Sequence, residues 1–278
     1  MTNANRDQIE FWNSDESRHW VEQQGRYDSM LAPYATRLFS AAAIAPTERV
    51  LDIGCGTGTT TLAAAAHAKE ALGVDIAEAM IARARDRARE QGVLNATFEV
   101  ADAQTAPFEA VHDIMISRFG VMFFDDPVAA FANVRTTLRP DGRIVFVCWQ
   151  DLAANEWILV PATAVAAHVP LPDVGEPGAP GPFAFGDAER LSGMLTHAGF
   201  RDIGIEPVAD SMLLGGGGTV DEAVEFLRGT GMGRTIFAEA SPDDAARAID
   251  AVREALAPYQ EPEGVRLDSA IWLVTARN

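Results

Sequence analysis

The sequence predicts an α/β fold: a mainly parallel sheet covered by helices, closed by an antiparallel strand, with a helical lid over one edge. Three observations carry that prediction. From Arg49 onward, short runs of β-forming residues alternate with longer Ala-rich segments of helical period, as strands joined by crossover helices do. The first strand runs straight into a turn, VLDIGCGTGTT from Val50 to Thr60, with glycine at alternate positions. Of the 278 residues, 48% are apolar, enough to bury one large core.

The strands are expected at RVLDIG from Arg49, EALGVDI from Glu70, ATFEVA from Ala96, HDIMISRF from His112 and GRIVFVCW from Gly142. Between them TTLAAAAHA, AEAMIARARDRARE and DPVAAFANVRTTL have the length of crossover helices. Asp126-Pro127 opens the last of these, and the run from Leu138 to Gly142 turns the chain into the fifth strand. After Trp149 the alternation stops. ANEWILVPATAVAAHV reads as a helix, and PLPDVGEPGAPGPFAFGD as a Pro/Gly-rich connector whose Phe183 and Phe185 pack part of it down. A helix over DAERLSGMLTHAGF, a strand around FRDIGIEPV, a hinge at Gly215 to Gly218, two helical stretches from Val220 to Pro258 and a final strand VRLDSAIWLVTAR follow. The two closing strands suit an antiparallel edge on a five-stranded parallel sheet. The expected organisation is an N-terminal helical lid (1–44), a core carrying the glycine turn (45–150), a lid insert (151–186) and the rest of the core (187–278) with a helical excursion at 215–262.

A net charge of −18 and a pI near 4.6 oppose any role that wraps a phosphate backbone, so nucleic acid is not an expected partner. The acidity reads as solubility. Cys55 and Cys148, far apart, make neither a disulfide framework nor a zinc spacing. The N-terminus MTNANRDQIEFW has no apolar signal core, and no run reaches the length of a membrane span, so a cytoplasmic location is the expectation.

In an open α/β sheet the ligand sits at the carboxyl ends of the strands near the switch point, usually beside the first strand-to-helix turn. Gly54, Gly56 and Gly58 let that turn close tightly, and Thr59 and Thr60 open a helix whose free N–H groups favour an anion. A dinucleotide fingerprint is GxGxxG; here the third glycine comes one position early, which weakens a pyrophosphate reading. A glycine-rich turn without a ligand is the bland alternative. Asp75 ends the second strand about twenty residues past Gly54, where a carboxylate accepts from ribose hydroxyls. Asp102 ends the third strand and could accept from an adenine amino group or merely cap the segment after it.

DIGCGTG, LGVDIAEAM, FEVADAQ and HDIMISRFGVMFFDDP followed by LRPDGRIVFVCW resemble, in order, the motifs of class I S-adenosylmethionine-dependent methyltransferases, most of all the group that includes the ubiquinone and menaquinone biosynthesis enzymes. The resemblance spans about 45 to 150 and fades in the lid segments. It implies a Rossmann-like seven-stranded sheet with an antiparallel last strand. It also implies S-adenosylmethionine as cofactor and S-adenosylhomocysteine as product. Gly54, Gly56 and Gly58 would then pass the methionine part, Asp75 would hold the ribose, and Ile76 and Met80 would flank the adenosine. Asp102 and Ala103 would meet the adenine, and Ser117 would lie by the cofactor amino group. ISRFG stands where base- or glutamine-methylating relatives carry an Asn-Pro-Pro-Tyr type of motif, and neither a paired-glutamate loop nor a metal-binding acidic triad is present, so no metal is expected. An NAD(P)-dependent oxidoreductase and a non-catalytic S-adenosylmethionine-binding module are the alternatives.

The acceptor, expected to be a small molecule methylated at oxygen, nitrogen or carbon, is sought among aromatics. Trp12, Trp20 and Tyr27 belong to the aromatic N-terminal segment, and Phe119 and Trp149 end the fourth and fifth strands. Helical spacing alone would make such residues core. For a general base, His67, His112 and His197 lie away from the ligand edge, which leaves His19 and His168 as candidates with no assignment made. The lid could cover its own sheet or a second copy, so a homodimer stays open.

Overall fold

The computed structural model describes residues 5–172 and 178–278. Four short helices lead in: α1 (Arg6–Trp12), α2 (Asp15–Glu22), α3 (Gln24–Met30) and α4 (Ala32–Ala42). The alternating core follows as β1 (Arg49–Ile53), α5 (Thr59–Ala65), β2 (Glu70–Asp75), α6 (Glu78–Glu90), β3 (Ala96–Val100), β4 (His112–Arg118), α7 (Pro127–Thr137) and β5 (Leu138–Trp149). Then come α8 (Glu156–Ala166), α9 (Ala188–His197), β6 (Arg201–Leu213), α10 (Val220–Gly229), α11 (Gly231–Ala238), α12 (Pro242–Leu256), β7 (Gln260–Glu261) and β8 (Gly264–Arg277).

The sheet order is β3-β2-β1-β4-β5-β8-β6, and the two-residue β7 pairs back on β8 as a hairpin. β1 to β5 are parallel, and β8 runs antiparallel to both β5 and β6. The antiparallel last strand is thus as expected, but it lies inside the sheet, and β6 takes the edge. The order reverses between β1 and β4, so the glycine turn leaves β1 at the switch point.

β4 and β5 are buried on both faces, as central parallel strands must be: Ile114, Met115, Ile116 and Phe146 have no exposed surface. Phe131 of α7 stacks on Phe146 at 5.5 Å, and Phe185 from the connector packs 6.0 Å from Phe131, as its apolar character predicts. The part of that connector at 173–177 lies outside the described residues.

Three local differences have physical reasons. The expected turn at Leu138 to Gly142 is a loop bulging out of β5: His112 pairs with Leu138 and Ile114 already with Arg143, and Asp141 turns through φ 63°. The two helical stretches after Val220 are three helices, because the Thr230 and Ser241 hydroxyls cap new ones by accepting from Gly233 N (3.1 Å) and Asp244 N (3.1 Å). And α8, α10 and α12 enclose a second apolar cluster with β8, including Val165, Val224, Val252, Leu256 and Leu267. The insert and the excursion therefore stand as one layer beside the strand ends.

Candidate active site

A cavity of ≈ 420 Å³ opens over the carboxyl ends of β1 to β5, roofed by α1 to α3 on one side and by α8 and α10 to α12 on the other. The glycine turn makes its floor. A Cβ on Gly54 would stand 2.5 Å from Gly120 Cα, so the first strand and the residue after Phe119 meet backbone to backbone. Gly56 faces open space, with Met80 Sδ 3.7 Å from where its Cβ would be. Gly58 differs, since a Cβ there would meet Ala84 and Phe98 at 2.9 Å; this glycine seats α6 and β3 and does not line the cavity.

Asp75 lines the cavity at the end of β2 and fixes the loops around it. One oxygen accepts from Gly56 N at 2.8 Å and the other from Ala77 N at 2.9 Å. Burial pushes its pKa up, opposed by the backbone donors Ala77, Gly56 and Ile76. Asp102 caps its own turn, accepting from Gln104 N (2.9 Å) and Thr105 Oγ1 (3.1 Å), and also accepts from Asn5 Nδ2 at 2.7 Å. Asn5 in turn accepts from Asp125 N (2.7 Å), tying the N-terminal arm across the ends of β3 and β4. Ile76, Met80, Ala103, Thr59 and Thr60 line the same floor. Ser117 does not: its buried hydroxyl donates to Ile53 O (2.7 Å) and accepts from Gly120 N (3.2 Å), holding β4 against β1.

All five expected acceptor residues, Trp12, Trp20, Tyr27, Phe119 and Trp149, line the upper cavity. Trp20 stacks on Tyr27 at 3.6 Å, Phe119 stacks on Trp149 at 4.1 Å, and Trp12 meets Phe123 edge-on at 5.1 Å. Phe119 holds this place with φ 64°, a left-handed backbone rare for a bulky residue. Burial pushes the Tyr27 phenol pKa up, so it stays protonated. The histidines are elsewhere. His19 packs beside Tyr27 and Phe226, at 5.9 Å from each, with its pKa lowered by burial, and neither it nor His168 lines the cavity.

Several lining residues are not evident from the sequence: Asn5, Glu16, Asp28, and the excursion side chains Phe226, Ile236, Phe237 and Val252. Glu16 accepts from Trp20 Nε1 (3.0 Å) and pairs with Arg234 (2.7 Å). Asp28 binds Thr59 Oγ1 and pairs with Arg87 at 3.0 Å, fastening α3 to the glycine turn. Arg118, within the SRFG run, lines the cavity as the resemblance implies for a residue just beyond Ser117; the others depend on contacts between segments remote in sequence. Among the described residues no cluster of three or more His, Cys, Asp or Glu could hold a metal, and no helix is long and apolar enough to cross a membrane.

Residues 50–142 match the family described as a methyltransferase domain. The chain is 32% identical over 212 residues to a ubiquinone/menaquinone biosynthesis C-methyltransferase of Acidiphilium cryptum, covering 68% of this chain and 85% of that one. It is 38% identical over 118 residues to an aklanonic acid methyltransferase of a Streptomyces species, covering 41% and 54%. Of the curated relatives matched first, mycobacterial proteins 35% identical over 123 residues, the chain spans 44% of the length. In fold it is similar to the YcgJ protein of Bacillus subtilis, with TM-score 0.60 and 20% identity over 88% of this chain and 97% of that one. The residues at the strand ends fit the cofactor of such enzymes: a glycine cradle, an acid on β2, an apolar bed at Ile76 and Met80, and at Arg118 a cationic side chain without a partner among the described residues. The chain belongs to the class I S-adenosylmethionine-dependent methyltransferases.

Proposed function

We propose that this protein transfers the methyl group of S-adenosylmethionine to a small, largely apolar acceptor. The observation that carries the reading is the division of one continuous cavity into two chemistries. Its floor is polar, with Gly54, Gly56, Thr59, Asp75 and Asp102. Its roof is mostly apolar, with Trp12, Trp20, Phe119, Trp149 and Trp157, and runs on between α8 and α12 past Ile158, Val165, Ile249 and Val252. In this reading Asp75 accepts from the ribose, Ile76, Met80 and Ala103 enclose the adenine, and the aromatic residues hold the acceptor. Gly58 and Ser117 shape the floor without touching the cofactor. The relatives named for aklanonic acid and for ubiquinone and menaquinone biosynthesis support a small organic acceptor. The buried free thiols of Cys55 and Cys148 support a reducing, cytoplasmic setting.

When bound, the cofactor supplies an already activated methyl group, so the protein's part is to align the acceptor and to exclude water. The stacked pairs Trp20–Tyr27 and Phe119–Trp149 are rigid walls suited to both. With both candidate histidines outside the cavity, no proton-transfer residue is assigned. Transfer of radiolabelled methyl from S-adenosylmethionine to a panel of apolar phenols, carboxylic acids, peptides and DNA tests the reading. Label in apolar small molecules alone is the expected result. Cofactor binding with no transfer to any member of the panel would favour a non-catalytic binding module instead.

A further inference from the structure

We propose that Arg118 binds the carboxylate of the methionyl part of the cofactor, making it the residue that selects the amino-acid tail. The inference rests on the family's cofactor and goes beyond it to a side chain that the strand-end motifs do not assign. Arg118 is the last residue of β4. Gly120, two residues on, is packed against Gly54, so the guanidinium lies beside the glycine turn, where it lines the cavity. Among the described residues it has no hydrogen bond and no ion pair, and its Nη1 is buried without a partner. Burial lowers its pKa, with the carboxylates of Asp28 and Asp52 opposing and Arg87 reinforcing. An arginine nonetheless stays cationic at neutral pH.

Neither neighbouring carboxylate is hydrogen-bonded to it, although Asp52 Oδ1 is itself buried without a partner. Asp28 is taken by Thr59 and Arg87, and Asp52 Oδ2 by the hydroxyls of Thr60 and Thr61 at 2.6 Å each. Arg87, the other cation near the turn, is occupied by Asp28, Thr57 O (2.9 Å) and Thr59 Oγ1 (2.8 Å). Arg228, the other arginine lining the cavity, pairs with Glu225 at 2.7 Å. Three amides of the turn are also engaged, Gly54 N and Cys55 N donating to Val74 O (2.8 and 3.1 Å) and Gly56 N to Asp75, which leaves the first N–H groups of α5 as the backbone donors at this end. Among the described residues, Arg118 is the cation at this end left to supply a full charge to a carboxylate, beside the dipole of α5. Arg118 offers a planar fork matched to a carboxylate, and a buried guanidinium left unpaired is costly until an anion arrives.

Titration calorimetry of S-adenosylhomocysteine against 5′-methylthioadenosine, which keeps the nucleoside and thioether but lacks the amino-acid tail, isolates the contact. Arg118→Gln is expected to weaken S-adenosylhomocysteine by about 10- to 100-fold and methylthioadenosine by less than about 3-fold, with Arg118→Lys in between. The ligand-free Gln variant should melt no lower than wild type, because it loses a buried charge that has no partner. Equal weakening of both ligands, or unchanged S-adenosylhomocysteine binding, would overturn the assignment. Failure of the wild type to bind either ligand is a separate outcome, which would overturn the cofactor reading and this proposal with it.

Discussion

Asp52 is fully buried between β1 and α5, with Oδ2 held by Thr60 and Thr61 and Oδ1 without a partner. Burial drives its pKa up to about 6, against the pull of the two threonines and of Arg118. A carboxyl whose folded pKa lies above its unfolded value stabilises the fold fully below about pH 4, and that contribution is lost as pH rises through the folded pKa. The displacement from an ordinary carboxylate corresponds to roughly 2–3 kcal/mol. Urea unfolding at pH 4, 5, 6 and 7 should show the wild type losing stability relative to Asp52→Asn across that window; a constant difference would contradict this. Phe119 permits a second test at this scale. At φ 64° glycine is the favoured residue, so Phe119→Gly should be more stable than Phe119→Ala by about 0.5–1 kcal/mol, the reverse of the usual order, although both lose the stack on Trp149. Denaturant midpoints decide it. The motif acid Asp75 was legible in the sequence, whereas the φ of Phe119 was not, because nothing in SRFG itself reports that Gly120 must back onto Gly54.

At the scale of elements, the N-terminal helices are held to the rest of the chain by a few polar side chains. Asn13 Nδ2 donates to Ile76 O (2.9 Å) and its Oδ1 accepts from Glu78 N (3.0 Å), capping α6 from outside. Arg26 donates to Gly215 O (2.6 Å) and Glu222 O (3.1 Å) and lies over the ring of Phe226. Arg26→Ala should therefore raise amide hydrogen exchange in α2, α3 and α10 by more than about tenfold and leave β1, β4 and β5 protected. Exchange rising evenly through the sheet would mean that the lid is not a separate opening unit. The aromatic density of α1 to α3 set them apart in the sequence, and period marked the crossover helices. Their anchoring was invisible because Arg26 and its partner Gly215 stand 189 residues apart. The division of the excursion into three helices was in principle readable from Ser241-Pro242-Asp243-Asp244, a capping serine followed by proline and acids.

For the whole molecule, the parallel core, the switch point and the cavity at the strand ends follow from the alternation of strands and helices and the glycine turn, because local pattern and global topology agree there. The apolar roof of the cavity does not, since it is assembled from α1 to α3, α8 and α10 to α12, which meet only in the folded state. Of the five tryptophans, Trp12, Trp20, Trp149 and Trp157 line the cavity. Cofactor binding should therefore change intrinsic fluorescence saturably, and an apolar acceptor should change it again; a flat titration with either would contradict a shared chamber. The most direct test of the central claim, that the floor of this cavity holds the cofactor through Asp75, is calorimetric titration of S-adenosylhomocysteine into wild type and Asp75→Ala. One-site binding weakened by at least about tenfold in the variant is predicted; no binding by wild type, or equal affinity in both, would contradict it.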